Sequence, residues 1–239
     1  MTITVTGGTF STDGAYTIQT FTANSTMTVS GGTLTGVDYL LIAGGGKGYL
    51  QGTYRAGAGA GGVVQNFNVS FPAGSYPVVI GGQMANSTFN GQTAIKGGQA
   101  GFWQTPGFPG GSGGGAAIAG VTHPPIFAGR GTPGQGNPGG AGGLKGYPEG
   151  SAGGGGGAGG PGEPGSVDFG KPGAGGQGLL ISITGTPTYY AGGGGAYTGD
   201  VYGADGLGRD NYGGGGGWGA GYYQPPNPGV LILRYPSGQ

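Results

Sequence analysis

The chain has 239 residues, of which 71 are glycine, 17 are proline and none is cysteine. Charged residues make up 7% of the chain and the formal net charge is zero. This balance argues against a nucleic-acid partner, which needs an excess of Lys and Arg to displace counterions, and the lack of cysteine excludes disulfides and thiolate metal sites.

Eight segments have the composition of β-strands, because they are rich in β-branched and aromatic side chains. They are Thr2–Val5, Tyr16–Phe21, Met27–Val29, Val37–Ala43, Val63–Phe71, Tyr76–Ile80, Leu179–Ile183 and Val230–Tyr235. Asn24-Ser25 predicts a hairpin turn between the second and third segments. Val37–Ala43 is nearly continuously apolar, which is typical of a strand buried on both faces, and no segment has a helical hydrophobic period.

Between the strands, glycine recurs with a period of three residues, for example at positions 153, 156, 159, 162 and 165. Three residues per turn is the period of an extended left-handed helix, which has no internal hydrogen bonds. Its N–H and C=O groups need partners, and neighbouring helices can supply them if no Cβ holds the backbones apart. A pure glycine run, such as 153–157, therefore predicts a segment that other segments surround.

Two other interpretations of the glycine are disfavoured. Glycine and proline exceed a third of the chain, which alone would favour disorder, but the strand segments oppose that interpretation. A collagen-like helix needs an unbroken Gly-X-Y register and abundant proline, and here the register restarts at each run.

The sequence therefore predicts an all-β fold, with a β-sandwich-like scaffold that carries a stacked polyglycine-II helix region. We expect the scaffold to comprise 1–80, 179–190 and 230–239. The glycine-rich excursions at 44–62 and 81–229 would form the stack, and the whole chain would be one compact unit. Its first residues lack the basic and apolar regions of a signal peptide, and no apolar run could span a membrane.

Several short motifs resemble a known family. Val37-Asp-Tyr-Leu-Leu-Ile-Ala-Gly-Gly-Gly, Gly74-Ser-Tyr-Pro-Val-Val-Ile-Gly-Gly, Tyr190-Ala-Gly-Gly-Gly-Gly and Gly229-Val-Leu-Ile-Leu-Arg-Tyr-Pro resemble the glycine-rich domain of bacteriophage tail-fibre proteins. The repeated runs are also similar to the polyglycine-sandwich adhesins at the tips of T-even-type fibres.

The resemblance implies a virion protein that is made in the host cytoplasm without a signal peptide and recognises a host receptor. Its partners would be a bacterial outer-surface protein or glycan and other virion proteins, with a homotrimer as one arrangement. The sequence shows no obvious attachment domain of the kind that such tip adhesins carry, so how the chain would join the virion, or whether it does, stays open.

The motifs for enzyme chemistry are weak. Gly57–Gly62 matches a dinucleotide-binding fingerprint, but a strand-like segment follows where a helix is required. His123 is the only histidine and cannot make a recognisable zinc site with no cysteine. Asp200, Asp205 and Asp210 fit a solvated surface better than a cation or sugar site. We therefore expect no catalytic residue, metal or cofactor.

The order of the glycine runs predicts which end of the stack binds. If successive runs are antiparallel, the loops at 116–130, 166–172 and 196–212 lie at the end opposite the scaffold, with the apices at 49–55 and 84–89. The candidate receptor-binding residues on this distal surface are Tyr49, Tyr54, Arg55, Met84, Phe89, Ile126, Phe127, Val167, Phe169, Tyr197, Val201 and Tyr202.

Two other functions remain open at this point. In a purely structural virion module, such as a fibre shaft or a capsid-surface domain, the same aromatic rings would cover the scaffold, the helix edges or neighbouring subunits. An ice-binding protein would need a regular face of Thr or Ala, and the residues between the glycines here are mixed.

Overall fold

The computed structural model describes residues 2–49, 54–103, 105–117, 127–143, 150–166, 170–219 and 221–239. Within these residues the regular structure is β, and no α-helix occurs. The strands are β1 (Thr4–Thr6), β2 (Thr9–Asp13), β3 (Tyr16–Phe21), β4 (Ser25–Ser30), β5 (Leu34–Ile42), β6 (Tyr54–Arg55), β7 (Val63–Phe71), β8 (Gly74–Val79), β9 (Ser87–Phe89), β10 (Gln92–Ala94), β11 (Leu179–Ile181), β12 (Thr188–Tyr190), β13 (Tyr197–Thr198), β14 (Val201–Tyr202) and β15 (Val230–Pro236).

Two five-stranded antiparallel sheets form the scaffold. The first has the strand order β1-β4-β8-β9-β10 and the second has the order β2-β3-β15-β5-β7. Their facing sides enclose one apolar core, in which the rings of Phe71 and Phe89 lie 6.5 Å and 5.3 Å from that of Tyr39. The predicted all-β, sandwich-like fold is confirmed.

The second sheet is buried on both faces at its centre. Leu40, Ile42 and Ile232 point away from the first sheet and pack in a second apolar cluster. The hairpin of β11 and β12 contributes Leu179 and Tyr190 to the same cluster. Burial on both faces explains the nearly continuous apolar run in β5, as the sequence pattern predicted.

The predicted hairpin at Asn24-Ser25 is wrong. β3 pairs with β2 and β15 in the second sheet, whereas β4 pairs with β1 and β8 in the first. The connection between them therefore crosses from one sheet to the other. The side-chain carbonyl of Asn24 accepts a hydrogen bond from the N–H of Ile80 (2.9 Å), which ties the crossing to the end of β8.

The glycine run 153–157 shows how the stack is held together. Residues three apart donate to the same neighbouring segment, as a helix with three residues per turn requires. The donor–acceptor pairs are Gly153–Ala116 and Gly156–Gly113, Gly154–Glu163 and Gly157–Gly160, and Gly155–Gly194 and Ala158–Ala191.

Three further segments donate to the carbonyl groups of the same run. Their donor–acceptor pairs are Gly57–Gly153 and Ala60–Gly156, Gly140–Gly154 and Asn137–Gly157, and Gly173–Ala152 and Gly176–Gly155. The run is thus surrounded by six neighbours and its backbone groups are paired. The stack is a polyglycine-II packing, in which hydrogen-bonded backbones replace an apolar core.

The first excursion gives the stack its length. Ala43 donates to Gly62 beside the scaffold, and Gly46 donates to Gly59 further out, so the outgoing and returning segments run side by side. The rise of this conformation is about 3.1 Å per residue, which places Tyr49 about 19 Å beyond Ala43. We call this end of the stack the distal end.

Stability should fall at alkaline pH because a core phenol must ionise on unfolding. Burial raises the pKa of Tyr235 to about 12, above the value of about 10 expected in the unfolded chain. The native state is favoured below the unfolded pKa, and this stabilisation is lost as the pH rises from about 10 to about 12, at a cost of roughly 3 kcal/mol. Melting temperatures measured across this range should fall less steeply for Tyr235→Phe. Parallel curves for the two proteins would contradict the prediction.

Candidate functional site

A small antiparallel sheet closes the distal end of the stack. Its strand order is β14-β13-β6, and an isolated bridge joins Arg55 of β6 to Phe102. Tyr202, Tyr197, Arg55 and Phe102 are directly opposite one another on successive strands. Directly opposed residues lie on the same face of a sheet, and strands are about 4.8 Å apart, so this row extends over about 14 Å.

Aromatic rings hold the arginine of this row in place. The Arg55 guanidinium lies 4.8 Å from the ring centre of Tyr197 and 4.0 Å from that of Trp218, so it contacts both rings. Trp218 in turn contacts Tyr223 at 5.5 Å, and its Nε1 donates to the carbonyl of Tyr49 (3.2 Å). Cation–π contacts of this kind gain strength when water is excluded from them.

We call this group the distal aromatic cluster; its members are Tyr49, Arg55, Phe102, Tyr197, Tyr202, Trp218 and Tyr223. The cluster has a buried base and an exposed rim. Trp218 is 9% exposed, whereas Phe102 and Tyr202 are each 38% exposed. The geometry therefore presents aromatic edges to solvent on a support that packing already fixes.

The three acidic residues of the neighbouring loop do not converge. Asp200 accepts a hydrogen bond from the Tyr197 hydroxyl (3.2 Å), and the exposed Asp210 pairs with Arg209 at 2.7 Å. Asp205 lies inside the stack, where it accepts the N–H of Gly195 (2.6 Å) in place of a backbone carbonyl. Burial raises the pKa of the Asp205 carboxyl, and the bond from Gly195 and the Arg209 charge oppose this effect.

The described residues contain no group of three or more His, Asp or Glu side chains placed to hold a metal ion. The solvated-surface interpretation fits Asp210, whose side chain is 83% exposed, and is wrong for Asp205. The carboxylate of Asp205 already accepts a hydrogen bond within the stack. The loop therefore offers no converging acidic site.

The structure brings five of the predicted distal residues together. Tyr49, Arg55, Tyr197, Val201 and Tyr202 all lie on or beside the small sheet.

The other predicted distal residues are more scattered or lie outside the residues that the structure describes. Phe127 is exposed on another segment of the distal region, where its carbonyl accepts the N–H of Gly107 (3.1 Å). Tyr54 belongs to β6, but its side chain lies outside the described part of the structure, as do residues Ile126, Val167 and Phe169.

Two predicted residues lie elsewhere. Phe89 is buried in the sandwich core against Tyr39, so it cannot present a surface. Met84 donates its N–H to Gly45, close to the scaffold end of the first excursion. The segment 81–95 was expected to be an excursion, but it forms the hairpin of β9 and β10 and extends the first sheet. Placement of 84–89 at the distal end is therefore wrong.

Sequence reasoning also missed three members of the cluster, Phe102, Trp218 and Tyr223. The run Gly213–Gly217 does not lead directly into β15. It instead runs outward to Trp218, and a second segment returns through Gln224, which exchanges backbone hydrogen bonds with Gly217. The large aromatic that ends this glycine run was the available signal, since Tyr197 follows the preceding run in the same way.

Comparison with protein families gives one match. A family model for a glycine-rich domain matches residues 19–235. No curated protein shows significant similarity to the chain. Within the described residues, no helix has the length and apolar character needed to cross a membrane.

Proposed function

The chain belongs to the glycine-rich domain family, and we propose that it is a non-enzymatic bacteriophage tail-fibre adhesin. Its distal end would recognise a receptor on the bacterial surface. The observation that carries the proposal is the distal aromatic cluster, which lies about 19 Å from the scaffold and has an exposed rim. The family match covers most of the chain.

The composition of the cluster supports a binding role. Tyr, Trp and Arg are the residues that most often dominate the energy of protein interfaces, and they act best in desolvated, well-packed surroundings. Arg55 lies between two rings, and Tyr202 and Phe102 lie on either side of that centre. A receptor that covers the rim would bury these rings further.

The rigidity of the support also favours recognition. Binding costs free energy for every side chain and loop that must become ordered. Here the small sheet, the cation–π contacts and the backbone hydrogen bonds of the stack fix the cluster before a ligand arrives. Little additional ordering would be needed at the centre of the surface.

One observation favours the second candidate, a purely structural virion module. Trp218 is largely buried, so the cluster also caps the open end of the stack. In that case the exposed rim would have no role of its own. The two candidates therefore differ in what changes at the rim should do.

The test replaces the rim and leaves the base intact. We expect the double variant Tyr202→Ser and Phe102→Ser to bind bacterial cells at least about 10-fold more weakly, since hot-spot residues each contribute about 2 kcal/mol or more. Labelled protein would be titrated onto a panel of bacterial strains. Phe10→Ser changes a half-exposed ring in β2 of the scaffold and is the matched control.

The outcomes separate the candidates. Loss of binding with an unchanged melting temperature supports the adhesin. Unchanged binding by the double variant contradicts recognition through the rim. A wild-type protein that binds no strain in the panel favours the structural module.

A further inference from the structure

A cleft of about 430 Å³ lies at the scaffold end of the molecule. It separates the outer face of the second sheet from the segment 180–183, which follows the stack. Its volume is in the range of ligand sites, about 300–1,000 Å³. The residues that matter for its chemistry are Tyr16, Asp38, Gln65, Phe67, Leu180 and Arg234.

The walls of the cleft expose two large apolar side chains. Phe67 is 68% exposed and Leu180 is 51% exposed. Leu180 pairs with Tyr189 in the hairpin of β11 and β12, whereas Phe67 lies where the register of β7 against β5 is irregular. Exposed apolar side chains that gather around polar groups are typical of interaction sites. The apolar parts of a ligand would contact these two residues.

The charges in the cleft do not cancel. Asp38 and Arg234 are directly opposite each other on β5 and β15. Arg234 nevertheless pairs with Asp13 at 3.0 Å and lies over the ring of Tyr16 at 4.1 Å. Among the described residues no cation forms an ion pair with Asp38, so electrostatic complementarity favours a positively charged ligand.

The carboxylate of Asp38 can also accept further hydrogen bonds. Its Oδ1 accepts the N–H of Asn68 (2.9 Å), and no described residue donates to its Oδ2. A carboxylate can accept several hydrogen bonds, and bonds from charged donors are the stronger ones. An ammonium or guanidinium group beside Asp38 would use the remaining oxygen.

One strand edge at the cleft favours a polypeptide ligand. β11 pairs with β12 on one side, and within the described residues its sheet has no third strand. Leu180 and Ile181 of this strand line the cleft together with the next two residues. The carbonyl of Ser182 there accepts a hydrogen bond from Nη1 of Arg234 (3.5 Å). An open strand edge is a template for an extended peptide, whose backbone can pair with it.

We propose that this cleft binds an extended segment of a partner polypeptide, which inserts a lysine or arginine side chain beside Asp38. Phe67 and Tyr16 contact the methylene groups of that side chain, and the peptide backbone lies along β11. The site is at the opposite end of the molecule from the distal aromatic cluster. It would let the chain dock onto a partner protein while the distal end stays free.

The test is an NMR titration of the isotope-labelled chain with two short extended peptides. One is N-acetyl-Val-Lys-Val-amide, and the other carries norleucine, which has a similar length and no charge, in place of lysine. We expect saturable shifts at the amides of Asp38, Gln65 and Leu180, with affinity for the lysine peptide on the order of 10-fold higher. Added salt should reduce this preference.

The variant Asp38→Asn tests the charge alone, because its side-chain carbonyl can still accept the N–H of Asn68. We expect about a 10-fold loss of affinity for the lysine peptide and none for the norleucine peptide. Asp210→Asn, an exposed acid elsewhere, is the matched control and should bind normally.

Three results would overturn the proposal: no saturable shift, equal affinity for the two peptides, or undiminished binding by Asp38→Asn. A variant spectrum as dispersed as that of the wild type shows that folding is intact. None of these results bears on binding to bacteria through the distal aromatic cluster, so the two proposals fail separately.

Discussion

Gly155→Ala is expected to prevent the polyglycine-II stack from forming. A Cβ at this position would lie 1.8 Å from the carbonyl oxygen of Ala58 and 2.2 Å from its carbonyl carbon. Both atoms belong to a backbone that is itself hydrogen-bonded on several sides, so neither can move away cheaply. Overpacking a conventional core costs about 1–3 kcal/mol, and here no side chain can rotate to relieve it. We expect a loss of more than about 3 kcal/mol.

The matched control is Gly82→Ala. This glycine is exposed, and nothing lies within 4 Å of the position that its Cβ would take. Its substitution should change the free energy of unfolding by no more than about 0.5 kcal/mol. Equilibrium unfolding in urea would compare the two variants with the wild type. Similar losses in both would mean that the missing Cβ at Gly155 is not what permits the packing.

This contrast explains why the stack could be predicted from the sequence. A segment that six others surround has no room for a side chain along its whole length, so the requirement appears as an uninterrupted glycine run. A strand buried on both faces is likewise visible in the sequence as a nearly continuous apolar run, as in β5. In both cases the surroundings on every side restrict each residue, and the restriction is visible locally.

Sheet membership is not visible in this way. β3 and β4 both alternate polar and apolar residues and are joined by a plausible turn, which is what a hairpin would also show. Their separation into two sheets depends on partners more than 40 residues away, among them β15 and β8. Phe89 was misplaced for the same reason, because only the pairing of β9 with β8 shows that it lies in the core.

The sequence predicted residues of the candidate site only where glycine-rich segments lead both to the distal end and back from it. Tyr197 and Tyr202 lie between two glycine-containing segments, so their position at the distal end follows from alternation. The segment that returns from Trp218 contains Gln224, Pro225, Pro226 and Asn227 and has an exposed edge. With few glycines, it could not be recognised as part of the stack, and Trp218 was missed with it.

Trp218→Ala should destabilise the distal end because it removes the base of the cluster. Loss of a buried large aromatic typically costs about 3–5 kcal/mol. Here it also removes one of the two rings against the Arg55 guanidinium and the donor to the Tyr49 carbonyl. Unfolding in urea should show this loss, whereas Trp103→Ala, at a half-exposed position, should lose about 1 kcal/mol or less.

The same pair of variants gives a local readout, because the chain has only these two tryptophans. In Trp103→Ala the remaining fluorescence reports on Trp218 and should show a buried indole that becomes exposed on unfolding. If Trp218→Ala were as stable as the wild type, the cluster would not brace the distal end. We expect the rim variant to lose binding at unchanged stability and Trp218→Ala to lose both. That contrast would separate the residues that contact the receptor from the residue that holds the cluster in place.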